Sequence, residues 1–414
     1  MIKSLSIFFV IAILSLSISS QNVEFKKSNF SDEEGLKEAL KNIKEGDALF
    51  QQSKPWLYQN ASECYLKANE FNPENALLNF KIGICYLYSN DKGGSLKYFS
   101  KAYILNSKVD PKIEYALAQA YQYNSEWNNS INYYKIYADK TSKDLNIQKQ
   151  INKKISECES GKIISSNPIV NLEISNLGEI INSRFNDGAP LIPQDESMIV
   201  FTSRRKGSTG GQVDFDLQEY YEDIYFSFRD GDKWTEPVQL GNTLNTSSHD
   251  ATAGLSLDGK TMFLYKGLSN GGDIFVSNYM EKDWTSPKAL PVTVNTTYHE
   301  SDACLSPDEQ ILYFTSDRAD KSLGQSDIFY CQKDNNGEWG EAENIGNVIN
   351  TEYDENGIYM HPDGKTMFFV SNGHNSIGGY DIFKSVKQEN GSWNYPENLG
   401  CPFNTPDDEM DIIV

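Results

Sequence analysis

A chain of 414 residues exceeds one ordinary domain and points to two or three. Its formal net charge of −21 argues against a nucleic-acid partner, because binding the phosphate backbone needs a basic face. An aromatic content of 12%, with 24 tyrosines, argues against a disordered chain despite that charge.

The first twenty residues read as a secretory signal peptide. Lys3 supplies the positive start, Ile7–Leu16 the apolar run, and residues 17–20 the small side chains that permit cleavage before Ser20 or Gln21. That run is too short to span a bilayer comfortably, and no later segment is apolar enough to do so. No cysteine lies near the boundary, which speaks against a lipoprotein. The six cysteines suggest buried free thiols rather than a disulfide framework. Cys304 and Cys331 fall on two strands with a third between them, too far apart to bridge, while Cys64 and Cys85 fall on consecutive helices.

Residues 34–160 carry helical periodicity with an internal repeat. Ala61, Ser95 and Ser130 are each followed four residues later by Tyr65, Phe99 and Tyr134, and Gly83 and Ala118 by Tyr86 and Tyr121 three residues on. Asn72-Pro73 and Asp110-Pro111 end helices. The pattern resembles tetratricopeptide repeats, about three helix–turn–helix units, with residues 143–159 as a capping helix. The tyrosine stripes, Tyr86 and Tyr121 among them, read either as packing knobs or as the lining of a groove for a partner peptide.

Residues 161–169 read as a linker, and residues 170–414 as a β-propeller opened by a strand at Val170–Leu177. Asp-Ile recurs at Asp223, Asp273, Asp327 and Asp381, with a tryptophan following each at Trp234, Trp284, Trp339 and Trp393. Asn-Thr or Asn-Ser recurs at Asn182, Asn245, Asn295, Asn350 and Asn404. A period near fifty residues with internal turns and no helical spacing is the mark of propeller blades. Each copy divides into four strands, a to d, from the channel outwards. The repeated Asp, Gly and Trp positions read as scaffold, with one tryptophan packing between neighbouring blades.

The first blade carries a polar, Gly-rich insertion from Arg204 to Tyr221 between strands b and c. Long propeller loops are often functional, so Arg204, Arg205, Tyr220 and Tyr221 are the candidate partner-binding residues here, beside Tyr86 and Tyr121 in the helical half.

The text T-S-R-R-K-G-S-T-G-G…Y-E-D-I-Y and the repeated S-P-D, H-P-D-G and D-I-F, after an export signal and tetratricopeptide units, resemble exported Bacteroidota proteins with a TolB-like propeller, the OmpA-family or PorE type associated with type IX secretion. The resemblance implies an α-solenoid followed by a propeller, with outer-membrane or periplasmic proteins as partners. It also implies a periplasmic, outer-membrane-associated location. Such proteins usually continue into an OmpA-like peptidoglycan-binding domain, which is not found in these residues, so the peptidoglycan link does not transfer.

Other functions find weaker support. A sialidase-type hydrolase needs a converging arginine cluster, and of the five arginines Arg204 and Arg318 read as equivalent repeat positions in different blades. The histidines and cysteines do not cluster at metal-ligand spacing, and no nucleotide-binding glycine pattern opens a helix, so neither metal nor cofactor is expected. The chain therefore reads as a non-enzymatic scaffold or binding protein. Carbohydrate or peptidoglycan recognition on the channel face is the alternative.

The blade count leaves two strands over. Four complete blades run from Phe185 to Leu399, and Val170–Leu177 and Glu409–Val414 would be the outer and inner strands of a partial fifth. That makes the sequence a fragment of a longer chain, with a two-strand gap of roughly 14 Å between the leftover strands.

Overall fold

A computed structural model describes residues 21–214, 217–240, 243–267 and 271–414. The signal-peptide reading and Gly241 of the second repeat start lie outside them. The chain forms two compact units: one runs to Ser53 and includes Leu57–Ile113, the other comprises Lys54–Trp56 and Glu114–Val414.

The first unit holds helices α1 (Glu33–Phe50), α2 (Pro55–Phe71), α3 (Ala76–Leu87) and α4 (Ser95–Leu105). Caps set their starts: the Asp32 carboxylate accepts from Gly35 N at 2.9 Å, and the Asn75 side chain from Leu78 N at 2.9 Å. Each helix pair is seated by a glycine facing a ring. A Cβ on Gly46 would lie 2.6 Å from Tyr65, and one on Gly83 would lie 2.5 Å from Phe99. Both rings are fully buried, so only hydrogen fits at these crossings.

The second unit opens with α5 (Ile113–Tyr123), α6 (Trp127–Lys140) and α7 (Leu145–Ile164). A Cβ on Gly161 of α7 would likewise lie 2.6 Å from the Trp127 ring of α6, and Tyr134 is fully buried. Because α7 runs to Ile164, the first residues of the expected linker are helical.

Four four-stranded blades follow. Strands a, b and c are Asp187–Leu191, Met198–Ser203 and Asp223–Asp230 in blade one, and Asp250–Leu255, Thr261–Lys266 and Asp273–Met280 in blade two. They are Glu300–Leu305, Ile311–Ser316 and Asp327–Gln332 in blade three, and Glu355–Met360, Thr366–Ser371 and Asp381–Val386 in blade four. All pair antiparallel in chain order, and every strand a carries a register break against its strand b. Such a bulge bends the inner strand round the channel.

Strand d is reduced to ladders of two residues, split in blade two into Asp283–Trp284 and Lys288–Ala289. This falls short of the full fourth strand expected in each copy. Trp284 packs with Phe226 of blade one, while Trp339 and Trp393 pack into the next two inter-blade cores. These three tryptophans sit between blades, as their period implied, whereas Trp234 lies against Ile199, Phe201 and Tyr225 of its own blade.

A second correction concerns residues 170–177, which form no strand. Val170, Leu172 and Ile174 are exposed, and no ladder partner lies beside them among the described residues. The alternation is that of a strand, but an edge strand forms only against a neighbour's backbone.

All blades share one cross-strand row. The first residue of strand a, the last of strand b and the first of strand c stand opposite one another: Asp187–Ser203–Asp223, Asp250–Lys266–Asp273, Glu300–Ser316–Asp327 and Glu355–Ser371–Asp381. An asparagine ties each blade to the next start. Asn245, Asn295, Asn350 and Asn404 each accept the backbone N–H and donate to the C=O of Ile224, Ile274, Ile328 and Ile382. Such buried amides are fully used, which fixes the blade spacing.

The C-terminal segment obeys the same rules although no strand is assigned to it. Its Glu409 N donates to Tyr380 O at 2.7 Å, just as Asp250 N, Glu300 N and Glu355 N donate to Glu222, Gly272 and Ser326. Further on, the Asp411 carboxylate accepts from Ala189 N of blade one at 3.1 Å, as the Asp302 carboxylate of blade three accepts from Gly357 N of blade four at 3.3 Å.

Candidate functional site

A concavity of the second unit lies between α5, α7 and blade four. It is a cleft of about 300 Å³ whose walls include Tyr115, Lys153, Lys154, Glu157, Tyr353 and Tyr380. Helical spacing sets the α7 wall. Lys153 and Lys154 stand four and three residues before Glu157, which approaches them at 3.6 and 2.8 Å. Blade four supplies the opposite wall, because Tyr353 and Tyr380 sit just before the first residues of its strands a and c.

The cleft is wired across both walls. Lys153 Nζ donates to Ser376 Oγ at 2.9 Å and lies 4.7 Å from the Tyr353 ring centre. Gln122 Nε2 bridges Glu157 Oε2 and Ile377 O, and Tyr134 OH donates to Gln122 Oε1. Burial holds the Lys153 ammonium below its ordinary range, and Glu157 does not offset it. Burial also opposes the charge on Lys154, but there Glu157 prevails and the value is raised. Burial pushes the Tyr115 phenol up, and it does the same to Tyr380 with help from Asp354. Aromatic faces with a few fixed charges suit recognition of a polar ligand or a peptide side chain.

The insertion of blade one forms a second cluster. Arg204 Nη2 donates to Glu222 Oε1 at 2.6 Å, and the other carboxylate oxygen lies 2.9 Å from His249 Nδ1. Asp214 stands 3.8 Å from Arg204, and Tyr221 stacks on His249 with ring centres 4.0 Å apart. Tyr220 meets Phe185 edge to face.

Arg205 belongs elsewhere. It donates to Asp187, to Ser203 Oγ and to Ile181 O, and lies against the Phe201 and Tyr225 rings. Arg318 does the same with Glu300, Ser316 and Val294 O, against Phe314 and Phe329. The repeat-equivalent pair is therefore Arg205 and Arg318, not Arg204 and Arg318, and each is committed to its row. The expected loop residues thus split: Arg204, Tyr220 and Tyr221 belong to the insertion, and Arg205 is part of the scaffold.

Tyr86 and Tyr121 fall in different compact units. Tyr86 packs on Tyr98 with ring centres 5.1 Å apart, and Tyr121 stacks on Tyr133 at 5.5 Å.

The channel is narrow, about 40 Å³ of free space among Ala189, Thr252, Asp302, Gly357, Tyr359 and Asp411. Burial pushes Asp302 up, and burial together with Asp302 pushes Asp411 up to about 6. Asp302, Asp411 and Tyr359 line this face.

The cleft residues were missed by the sequence reading. Their one signal is the Lys153-Lys154…Glu157 spacing, which reads as an ordinary solvated helix face. Their partners stand some two hundred positions away.

No family model matches this chain, and no curated protein does. Among solved structures, TolB from Acinetobacter baumannii shares 17% identity at a TM-score of 0.35, with 56% of this chain and 47% of that one covered. This chain thus spans about half the length of that TolB. A putative TolB from Agrobacterium tumefaciens shares 20% at a TM-score of 0.35, covering 53% and 67%. The NanB sialidase from Streptococcus pneumoniae shares 14% at 0.28, covering 45% and 30%. Likenesses this weak do not bear on function.

Proposed function

We propose that this protein is a non-enzymatic binding or scaffold protein of the periplasm that engages a protein partner at the cleft between α7 and blade four. The observation that carries this reading is the cleft itself: three tyrosines and two lysines face one concavity built from two kinds of secondary structure. The conspicuous charged residues of the propeller rows are, by contrast, occupied in holding blades together. Arg205 and Arg318 stand in separate rows, each matched to its own carboxylate, so they do not form the converging arginine set of a sialidase.

The export signal, the tetratricopeptide character of the helices, outer-membrane association and a link to type IX secretion belong to this reading through the sequence resemblance. So does a peptide-binding role for Tyr86 and Tyr121. No described helix is long and apolar enough to cross a membrane. In the same proposal the C-terminal segment serves as the inner strand of a fifth blade position. Its Asn404 clamp and its Glu409 and Asp411 hydrogen bonds support this.

A second reading, recognition of a glycan or of peptidoglycan, rests on the same aromatic walls. Capture of detergent-solubilised envelope proteins, compared with binding to purified sacculi, separates the two. The first reading requires protein capture that falls with Tyr353→Ala and Lys153→Ala while the melting temperature holds. Binding only to sacculi would replace it, and binding to neither would remove both.

A further inference from the structure

The loops joining strands b and c carry one short text three times among the described residues: Ser208-Thr209-Gly210 in blade one, Ser322-Leu323-Gly324 in blade three and Ser376-Ile377-Gly378 in blade four. In each, the backbone N–H of the middle residue donates to the aspartate that opens strand c. Thr209 reaches Asp223 at 2.5 Å, Leu323 reaches Asp327 at 2.7 Å and Ile377 reaches Asp381 at 2.9 Å. In blades three and four the same carboxylate oxygen also accepts from an asparagine amide, Asn344 and Asn398. The tips are thus held alike, and their side chains decide what each one meets.

In blade four the tip is a plug. Ile377 is fully buried and belongs to the core of α5, α6 and α7, with Ala118, Ile131 and Ile151. Three polar contacts frame it: Lys153 Nζ donates to Ser376 Oγ at 2.9 Å, Gln122 Nε2 to Ile377 O at 3.2 Å and Lys154 Nζ to Gly378 O at 3.4 Å. The blade three tip has the same form without that cover. Leu323 is 52% exposed, and the Ser322 hydroxyl is buried without a hydrogen-bond partner among the described residues. Leu323 O and Gly324 O accept no hydrogen bond there either. An apolar tip ringed by unmet polar atoms is a surface that binding would complete. It adjoins the cleft, since Gln325 N donates to Tyr353 O at 3.3 Å. Its surroundings are acidic: Asp317 and Asp320 are exposed on the same loop, and Glu352 on the next already pairs with Lys149 of α7.

We propose that the Ser322-Leu323-Gly324 tip is a docking knob for a helical protein, which covers it as α5 and α7 cover the tip of blade four. That precedent defines the partner: packed helices with an apolar pocket for Leu323, a lysine for Ser322 Oγ, and ammonium or amide donors for the two carbonyls. A basic helix face matches the acidic rim, which favours a partner with the charge of α7 over an acidic one. The pocket formed by this chain's own α5, α6 and α7 holds Ile377, so it does not take Leu323 as well. The knob adds a surface to the protein-partner reading of the cleft and stands without it.

The test uses the full chain and a fluorescent peptide with the α7 sequence, residues 144–165, carrying Cys158→Ser. Anisotropy should show saturable binding. Leu323→Asp in the protein should weaken it roughly tenfold or more, the loss expected of a central apolar anchor. Lys153→Glu with Lys154→Glu in the peptide should weaken it by roughly as much. Leu323→Asp should leave the melting temperature unchanged, because the anchor of the tip is backbone; if it does not, Leu323→Ser serves instead. Tyr353→Ala should leave peptide binding unchanged. Binding lost with Tyr353→Ala and kept with Leu323→Asp would seat the peptide in the cleft and overturn the knob alone. No saturable binding, or binding indifferent to Leu323→Asp, overturns it too. So does a Leu323→Cys chain that gains no maleimide-reactive thiol over the parent, since the chain would then cover its own tip. A dimer in sedimentation that Leu323→Asp dissociates would make a second copy the occupant and replace the proposal.

Discussion

Blades one to three and blade four solve the same problem with different charge. In each, a side chain past the end of strand b, or at it, reaches back to a carbonyl of the preceding segment: Arg205 to Ile181, Lys266 to Leu244, Arg318 to Val294 and His374 to Ile349. The first three are cations that also meet the row carboxylate. In blade four Gly373 follows Ser371 where arginine would stand, and burial lowers the pKa of His374. Burial pushes Glu355 up to about 7, whereas the Asp187 carboxyl, despite its burial, is held below the usual range by Ser203, Arg205 and Ser183. The blade geometry survives the loss of the cation because the serine and threonine donors remain. The cost moves from ion pairing to proton uptake.

The largest effect should come from breaking a compensated row. Arg318 is 4% exposed, and Arg318→Met leaves Glu300 buried without its cation, so stability should fall by about 3–5 kcal/mol. Denaturant titration of the full chain measures this. A loss under about 1 kcal/mol would show that the hydroxyl donors alone suffice, as they do in blade four.

The next concerns pH. A carboxyl whose folded value lies above its unfolded one binds more protons in the native state. Its contribution is fullest below the unfolded value near 4.5 and disappears as pH rises through about 7. Glu355→Gln removes that titration, so the stability of the variant relative to the parent should climb between pH 5 and 8, by at most about 3 kcal/mol. A flat difference would mean that Glu355 is not protonated in the fold.

A helical change serves as the control. Gly83→Ala places a methyl against Phe99 and should cost about 1–3 kcal/mol in the first unit while leaving the Glu355 slope untouched. An unchanged melting temperature for that unit would dissolve the close crossing. The smallest effect belongs to Lys149–Glu352, a 2.7 Å pair between α7 and blade four with both side chains exposed. Lys149→Ala should leave the unfolding midpoint essentially where it is, since exposed pairs are screened. A larger loss would place that surface in a tighter contact than its exposure implies.

The sequence was informative wherever a period repeats. Asp-Ile, Asn-Thr and the tryptophans announced the blades. It misled where pairing needs a neighbour, as at residues 170–177, and where one residue of slip matters, as in taking Arg204 rather than Arg205 as the partner of Arg318. Identical dipeptide text gives the two arginines opposite fates, because only the second, two residues past Ser203, points back to Asp187.

What the sequence determined by itself is the set of local rules: strand and turn text, the row carboxylates and the residue that follows each Ser. These are short-range, so they are written in adjacent letters. Tertiary structure alone decided which far-apart letters meet. It put α7 against blade four, assembling a cleft from Lys153 and Tyr353, and it laid Asp411 beside Ala189. Such contacts depend on how blade angles and helix packing add up over the whole unit, and no single stretch of chain encodes that sum.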